Sequence, residues 1–420
     1  MTIDKKGIPA FFTRRAVGFS SFAFLTLYGW LFVNNGALWS VNPVTYSLYA
    51  LDYSMGFCTR ILPGAVYHAL IGKYEYGAVS AFVTVFYLLL AALVSFFADR
   101  FFAAAPAREK KTCLFLLFLF LSGPFTFGIE IREFGMLDLY WLLFFAAGVL
   151  LLPNKRLKWL LPLCFAGMIF IHFAALFCYA ATLLALILFF AAKAEDRREK
   201  RQYYALLGVC FLLTVGLSGY FIQFESENAV YPVEQFNAIL RERGVIYPEY
   251  LDSTLYRMTD SSIATPVYAH ERYTVDPDSA GLTRFVQWIL YYAWAAVSFP
   301  QQYARLWFLF LLELPLAALL IGLLLSYGRL KKGNGALRLT VLVMLLLFFG
   351  TTAVGFLFSS DTFRWIAHAV TGLFAGCFTA LYYDWREGFA KARRMIKRAS
   401  VPAALVYAFV YALVSMDPYS

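Results

Sequence analysis

The sequence predicts an all-α, polytopic integral membrane protein of about eleven transmembrane helices with external interfacial helices. Three observations predict it. The chain of 420 residues is 61% hydrophobic and only 15% charged, where a soluble chain carries charge at roughly a quarter of its positions. Its mean hydropathy is +0.65. Apolar runs of roughly 17 to 25 residues, long enough to cross a hydrocarbon core, recur between charged clusters. Those runs are continuous rather than alternating, which excludes a transmembrane barrel.

The first run, 16–34, follows the basic stretch "MTIDKKGIPAFFTRR". It is long and no small-x-small cleavage pattern follows it, so it reads as a retained signal anchor. Further spans are expected at 77–98, 112–129, 135–152, 158–170, 173–192, 203–222, 304–327, 337–357, 363–383 and 399–416. The run 158–193 is flanked by Lys155, Arg156 and Lys158 on one side and Lys193, Arg197 and Arg198 on the other. One helix would put those clusters on opposite sides of the membrane, so a hairpin is expected, with His172 at its tip. Its first arm has only about 13 residues, roughly 20 Å of helix. The stretch "LTRFVQWILYYAWAAVSFP", 282–300, is read as an external interfacial or re-entrant helix. Counting it as a crossing would carry "RLKKGNGALR" to the outside.

With the N-terminus cytoplasmic and each span reversing the side, the pieces 1–15, 99–111, 153–158, 193–202, 328–338 and 384–398 are cytoplasmic. They hold 26 of the 36 Lys and Arg but 8 of the 26 acidic residues, as the positive-inside rule requires. The C-terminus is then external. The net charge of +10 thus speaks for a lipid bilayer as partner and not for nucleic acid. Three regions follow: 1–222, an N-terminal membrane region with an amphipathic first external loop at 35–76; 223–303, an external loop with the interfacial helix; and 304–420, the C-terminal membrane helices. The polar loop 223–283 is too short for much of a core of its own and is expected to lie as a lid over the membrane region. No internal repeat supports an inverted-repeat transporter. The six cysteines are scattered and form neither a disulfide framework nor a metal pattern.

Polar groups collect on the outer side. In "SSDTFRWIAHAV", 359–370, Asp361, Arg364 and His368 share one helix face. Glu130, Arg132, Glu133 and Asp138 stand at the turn "GIEIREFGMLDLYW", and Asp52 and Arg60 in "ALDYSMGFCTRILPG". Ionisable groups at membrane depth are costly and are expected to face an interior cavity. Arginine binds phosphate bidentately and stays charged, and a carboxylate or histidine can take a proton from an attacking hydroxyl. The chemistry these groups suit is glycosyl transfer from a lipid-linked phosphate or diphosphate. Arg60, Arg132 and Arg364 would stabilise the departing phosphate, and Asp52 or His172 would be the base. Glu130, Asp138 and Asp361 would complete the substrate site by orienting sugar or arginine. HExxH, P-loop and GxSxG motifs are absent, so no cofactor is indicated, although a divalent metal stays open. Structural readings stand beside these. Asp361 and Arg364 suit a helix-start ion pair, Arg60 and Arg132 suit lipid phosphate, and His172 suits a carbonyl at a tight turn. Asp138 and Glu313 suit bonds to a neighbouring helix.

The stretch "IEIREFGMLDLYWLLFFAAGVLLLPNKRLKWLLPLCFAGMIFIHFAALFCY" resembles the exopolysaccharide and O-antigen polymerase families of bacteria. There an arginine opens a membrane helix, a short basic turn follows, and a histidine sits in the next hydrophobic segment. Here the matching positions are Arg132, Lys155 to Lys158 and His172. "TYSLYALDY" is similar to their first loop, and the layout is similar to the C-type (GT-C) integral-membrane glycosyltransferases, with Asp52 at the loop aspartate. This chain departs from the polymerase pattern in carrying Glu133 and Asp138 soon after the arginine. The resemblance implies a protein of the bacterial cytoplasmic membrane that takes a polyprenyl-linked sugar or glycan at the outer face. It implies other envelope polysaccharide assembly proteins as partners. Two rival readings remain: a flippase for the same lipid-linked glycans, and a non-catalytic subunit of an assembly complex.

Overall fold

In the computed structural model, the residues described are 15–34, 39–41, 43–123, 126–128, 134–224, 230–231, 233–245, 282–283, 286–287, 290, 304–358, 362–398 and 400–416. Among them the structure is all-helical with no strands. Among the described residues five helices are long and apolar enough to cross a membrane.

The chain opens with α1 (Ala16–Asn34). The first loop then folds into α2 (Pro43–Ser47), two short 3-10 turns and α3 (Leu62–Ile71). Pro63 stands in the first turn of α3, where its missing N–H is no loss. Gly72, with φ 73°, ends the helix by donating its N–H to His68 O. Gly64 lies against the backbone of the loop: a Cβ there would be 2.1 Å from Leu51 O. The long α4 (Tyr76–Ala104) runs about 43 Å and stops before Pro106.

Next come α5 (Lys110–Ser122), α6 (Asp138–Leu151), α7 (Leu161–Ile171), α8 (Tyr179–Lys193) and α9 (Arg197–Phe224). The short amphipathic α10 (Val233–Glu242) precedes α11 (Ala304–Leu330), α12 (Gly335–Phe358), α13 (Thr362–Tyr383), α14 (Gly388–Arg398) and α15 (Val401–Met416). The apolar window of α13 is 83% buried and that of α9 only 28%. Hence α13 is the central helix and α9 an outer wall. Neighbours pack in the order α1 on α4, α4 on α6, α6 on α7 and α8, α8 on α9 and α12, and α13 between α11 and α12. Small residues let them approach, as where Gly372 of α13 faces Thr182 of α8,.

The 158–193 segment is a hairpin. Tyr203 of α9 lies 4.0 Å from the Lys158 ammonium and its ring 5.9 Å from that of Phe190, so the start of one arm and the end of the other meet the same side chain. The tip is a 3-10 turn, Phe173–Phe177, opened by His172.

The basic connections gather at one end of the bundle, cross-tied by ion pairs. Arg15 meets Asp99 at 3.1 Å, Arg393 meets Glu109 at 3.2 Å and Lys331 meets Asp384 at 2.7 Å. Tyr327 also donates to Asp384 at 2.7 Å, and Asn334 to Ala192 O at 3.2 Å. The opposite end carries the start of α6, the start of α13, the hairpin tip and the first loop. The expected interfacial helix at 282–300 lies mostly outside the described residues; Leu282 donates to the Gln223 side chain at 3.4 Å.

Candidate functional site

At the end opposite the basic connections, Asp138 opens α6 and Arg364 stands in the first turn of α13. Arg364 Nη2 lies 2.5 Å from Asp138 Oδ2. One turn further along α13, His368 places Nε2 3.3 Å from Asp138 Oδ1. The other ring nitrogen, Nδ1, is 3.0 Å from the Tyr179 hydroxyl at the start of α8. The tautomer that satisfies both contacts carries its proton on Nε2, with Tyr179 donating to Nδ1. His368 is 3% exposed and Tyr179 1%, so this Asp–His–Tyr set is an internal brace. Arg364, with 24% of its side chain exposed, is the member that reaches open space.

Trp141 couples this brace to a second pair. Its ring lies 5.4 Å from that of His368 and 5.8 Å from that of His172, edge to face in both cases. Its indole N–H donates to Met168 O at 2.8 Å, which fixes the ring. His172 Nδ1 accepts from the Ala174 N–H at 3.1 Å, and Nε2 faces the Arg60 guanidinium. Arg60 itself sits at φ 70°, outside the comfortable region for a side-chain-bearing residue, and its N–H donates to Ile171 O at 2.8 Å. Such a backbone persists only where the surroundings over-determine it. Here the hairpin tip holds the first loop and aims Arg60 at His172. Arg60, His172, Trp141, His368, Asp138 and Arg364 therefore form one contiguous chain of contacts across four segments.

Asp52 belongs to another cluster. It caps the 3-10 turn Tyr53–Met55 by accepting from Ser54 N at 2.8 Å, and it pairs with Arg243 at 2.8 Å. Arg243 also donates to Ala50 O at 2.5 Å. Arg243 follows α10, whose Phe236 and Leu240 are fully buried. Val230 adds a backbone bond to Met55 O. This part of the second loop is thus clasped onto the first loop. Burial pushes the Asp52 carboxyl up, but the Ser54 hydrogen bonds and the Arg243 charge outweigh it and hold the group below its usual value.

Three positions read from the sequence, Glu130, Arg132 and Asp361, lie outside the described residues. Of the other five, Arg60 and His172 meet directly, Asp138 and Arg364 meet directly, and Asp52 stands apart. Asp138 is 3% exposed and lies against both Arg364 and His368, so it braces that end of the contact chain from inside. Asp52 accepts from Ser54 and Arg243, as His172 is engaged by Ala174 and Arg60.

Four contributors were not singled out as site residues: His368, Tyr179, Trp141 and Arg243. His368 is the one with a signal, since it lies one turn from Arg364 on the same face. Compared with protein-family models, curated proteins and solved structures, the chain matches none.

Proposed function

We propose that this chain is a membrane glycosyltransferase that uses polyprenyl-phosphate- or diphosphate-linked sugars, as a polysaccharide polymerase or close relative. On this reading it makes about eleven crossings of a bacterial cytoplasmic membrane. The basic connections and the N-terminus are cytoplasmic, the C-terminus is external, and the Arg60–Arg364 end faces outward.

The observation that carries the reading is the contact chain from Arg60 to Arg364. It places two partly accessible guanidiniums at one end of an apolar bundle, each held by a histidine or carboxylate from another segment. A phosphate at headgroup depth is the anion such a pair suits. In the transfer, an acceptor hydroxyl forms a bond to the anomeric carbon as the bond from that carbon to the carrier phosphate breaks. The hydroxyl proton passes to Asp52 or His172, and the negative charge left on the phosphate is taken up by Arg60 and Arg364. Arg132, Glu130 and Asp361 would complete the site from the neighbouring turns. Preorganised cations aimed at developing charge give the largest single contribution to such a reaction.

The test is a length profile of lipid-linked and surface glycans in the native host carrying Arg364→Ala. Loss of long chains with accumulation of single lipid-linked units supports a polymerase. Shorter branches at unchanged chain length would assign a single-addition transferase. Retention of units on the cytoplasmic leaflet would assign a flippase. An unchanged profile, with the protein present in the membrane, would remove Arg364 from any functional site.

A further inference from the structure

A groove of about 390 Å³ runs along the seam between α1 and α4, at the basic end. Arg15 and Asp99 stand at one end of it, 3.1 Å apart. Phe19, Phe22, Ala92 and Phe96 continue it away from that pair as an apolar track. From Arg15 to Phe22, and back from Asp99 to Ala92, each helix advances about 10 Å. Phe19 and Phe96 are 44% and 37% exposed, so the groove opens sideways out of the bundle.

Two further features mark its charged end. The Arg100 and Arg15 guanidiniums lie 4.3 and 5.8 Å from the centroid of the same Phe96 ring. Asp99 balances Arg15, whereas Arg100 has no acidic partner among the described residues, so these three side chains carry one positive charge in excess. In addition, Ser95, which lines the groove, has a buried hydroxyl with no hydrogen-bond partner. A cationic, donor-bearing end joined to an apolar track that opens to the side has the outline of an anionic amphiphile.

We propose that this groove binds an anionic phospholipid from the bilayer leaflet at the basic end. Its phosphate lies between Arg15 and Arg100, and one acyl chain lies along Phe19, Phe22 and Ala92. A free anion would use the charged end alone and leave the apolar track without a role. A zwitterionic lipid brings its own cation against Arg100.

The test uses the purified full chain in detergent, titrated with phosphatidylglycerol, phosphatidylcholine or inorganic phosphate and read by native mass spectrometry and by thermal midpoint. Phosphatidylglycerol is expected to bind at least about fivefold more tightly than phosphatidylcholine, as one interfacial cation provides. Arg100→Gln should remove that preference. Ala92→Phe, at an exposed position, should fill the track and weaken phosphatidylglycerol binding while helicity and elution volume stay unchanged. Equal binding of the two lipids would overturn the proposal. So would competition by inorganic phosphate as effective as that by lipid, which would mark a site for small anions. Full binding by Ala92→Phe would also overturn it, because adsorption to general surface charge would then account for the effect.

Discussion

Asp138 and Arg364 form an asymmetric pair: the two charges are 2.5 Å apart, yet the carboxylate is 4% exposed and the guanidinium 24%. The acid therefore works from inside the bundle and the base looks out. Removing the acid leaves a cation without its brace, whereas removing the base leaves a buried anion. Breaking a buried pair by deleting one partner typically costs about 3–5 kcal/mol. Asp138→Ala should accordingly lower the thermal midpoint of the detergent-solubilised protein. Asp138→Asn, which keeps the shape, should spare much of that stability and, on the proposed function, still shorten the glycans. If Asp138→Asn proved as long-chained as the parent, the brace would have no functional part.

The Asp52–Arg243 clasp joins two loops that are far apart in sequence. Single replacement of either residue by Ala should loosen the 233–245 segment, and the double replacement should do little more. A coupling of about 1 kcal/mol is expected for a partly buried, charge-assisted hydrogen bond. Amide hydrogen exchange across 233–245 in the four variants measures it, and strictly additive effects would show that the contact carries no energy.

The same clasp should depend on acid. The Asp52 carboxyl is held below its free value of 3.8, so the folded state binds that proton less readily than the unfolded one. Its contribution is therefore complete above that value and disappears as the pH falls through the depressed folded value. Asp384 behaves alike at the other end: burial pushes it up, and Lys331 with Tyr327 brings it down below 3.8. Exchange in 233–245 should rise as the pH falls below about 4, after correction for intrinsic rates. Arg243→Ala should flatten that rise.

Glu109 is 5% exposed and pairs with Arg393 of the amphipathic α14 at 3.2 Å. Glu109→Gln should release the helix from α5 while the rest of the bundle keeps its packing. The exposed basic residues of α14 then become trypsin sites, so limited proteolysis between Arg386 and Arg398 should speed up several-fold. Unchanged cleavage would mean that Phe389 and Ala392, both fully buried, hold the helix alone.

Gly64 is replaceable only at a loss. A Cβ there would stand 2.1 Å from Leu51 O, and a backbone carbonyl cannot rotate away as a side chain can. Gly64→Ala should destabilise by about 1–3 kcal/mol through overpacking and displace the segment that carries Asp52 and Arg60. Gly77→Ala, which meets no neighbour within 4 Å, is the control and should match the parent.

The helices themselves were legible, because apolar runs bounded by charge leave few alternatives in a bilayer. Among the described residues a helix stands within each expected span, but only five are long and apolar enough to cross a membrane, and the hairpin at 158–193 follows from basic clusters at both ends. The partners within the site were harder to read. Sequence spacing pairs Arg364 with Asp361, three residues away, but Asp138 reaches it from another helix, and no local pattern encodes that approach. Trp141 and Tyr179 are invisible among 44 Phe, 28 Tyr and 9 Trp, since aromatic side chains serve mostly as packing. Arg243 was hidden for the opposite reason, being one charge among many in a polar loop. Asp52 could be located but not assigned, because a cap, an ion pair and a base require the same residue type.

The Glu109–Arg393 contact also has a consequence in time. Glu109 is synthesised well before Arg393, which follows it by 284 residues. Until then the carboxylate stands at the membrane boundary without that counter-ion, and the α5 surface that α14 will cover stays open. A nascent chain halted before Arg393 therefore displays an acid without that counter-charge beside a bare apolar face.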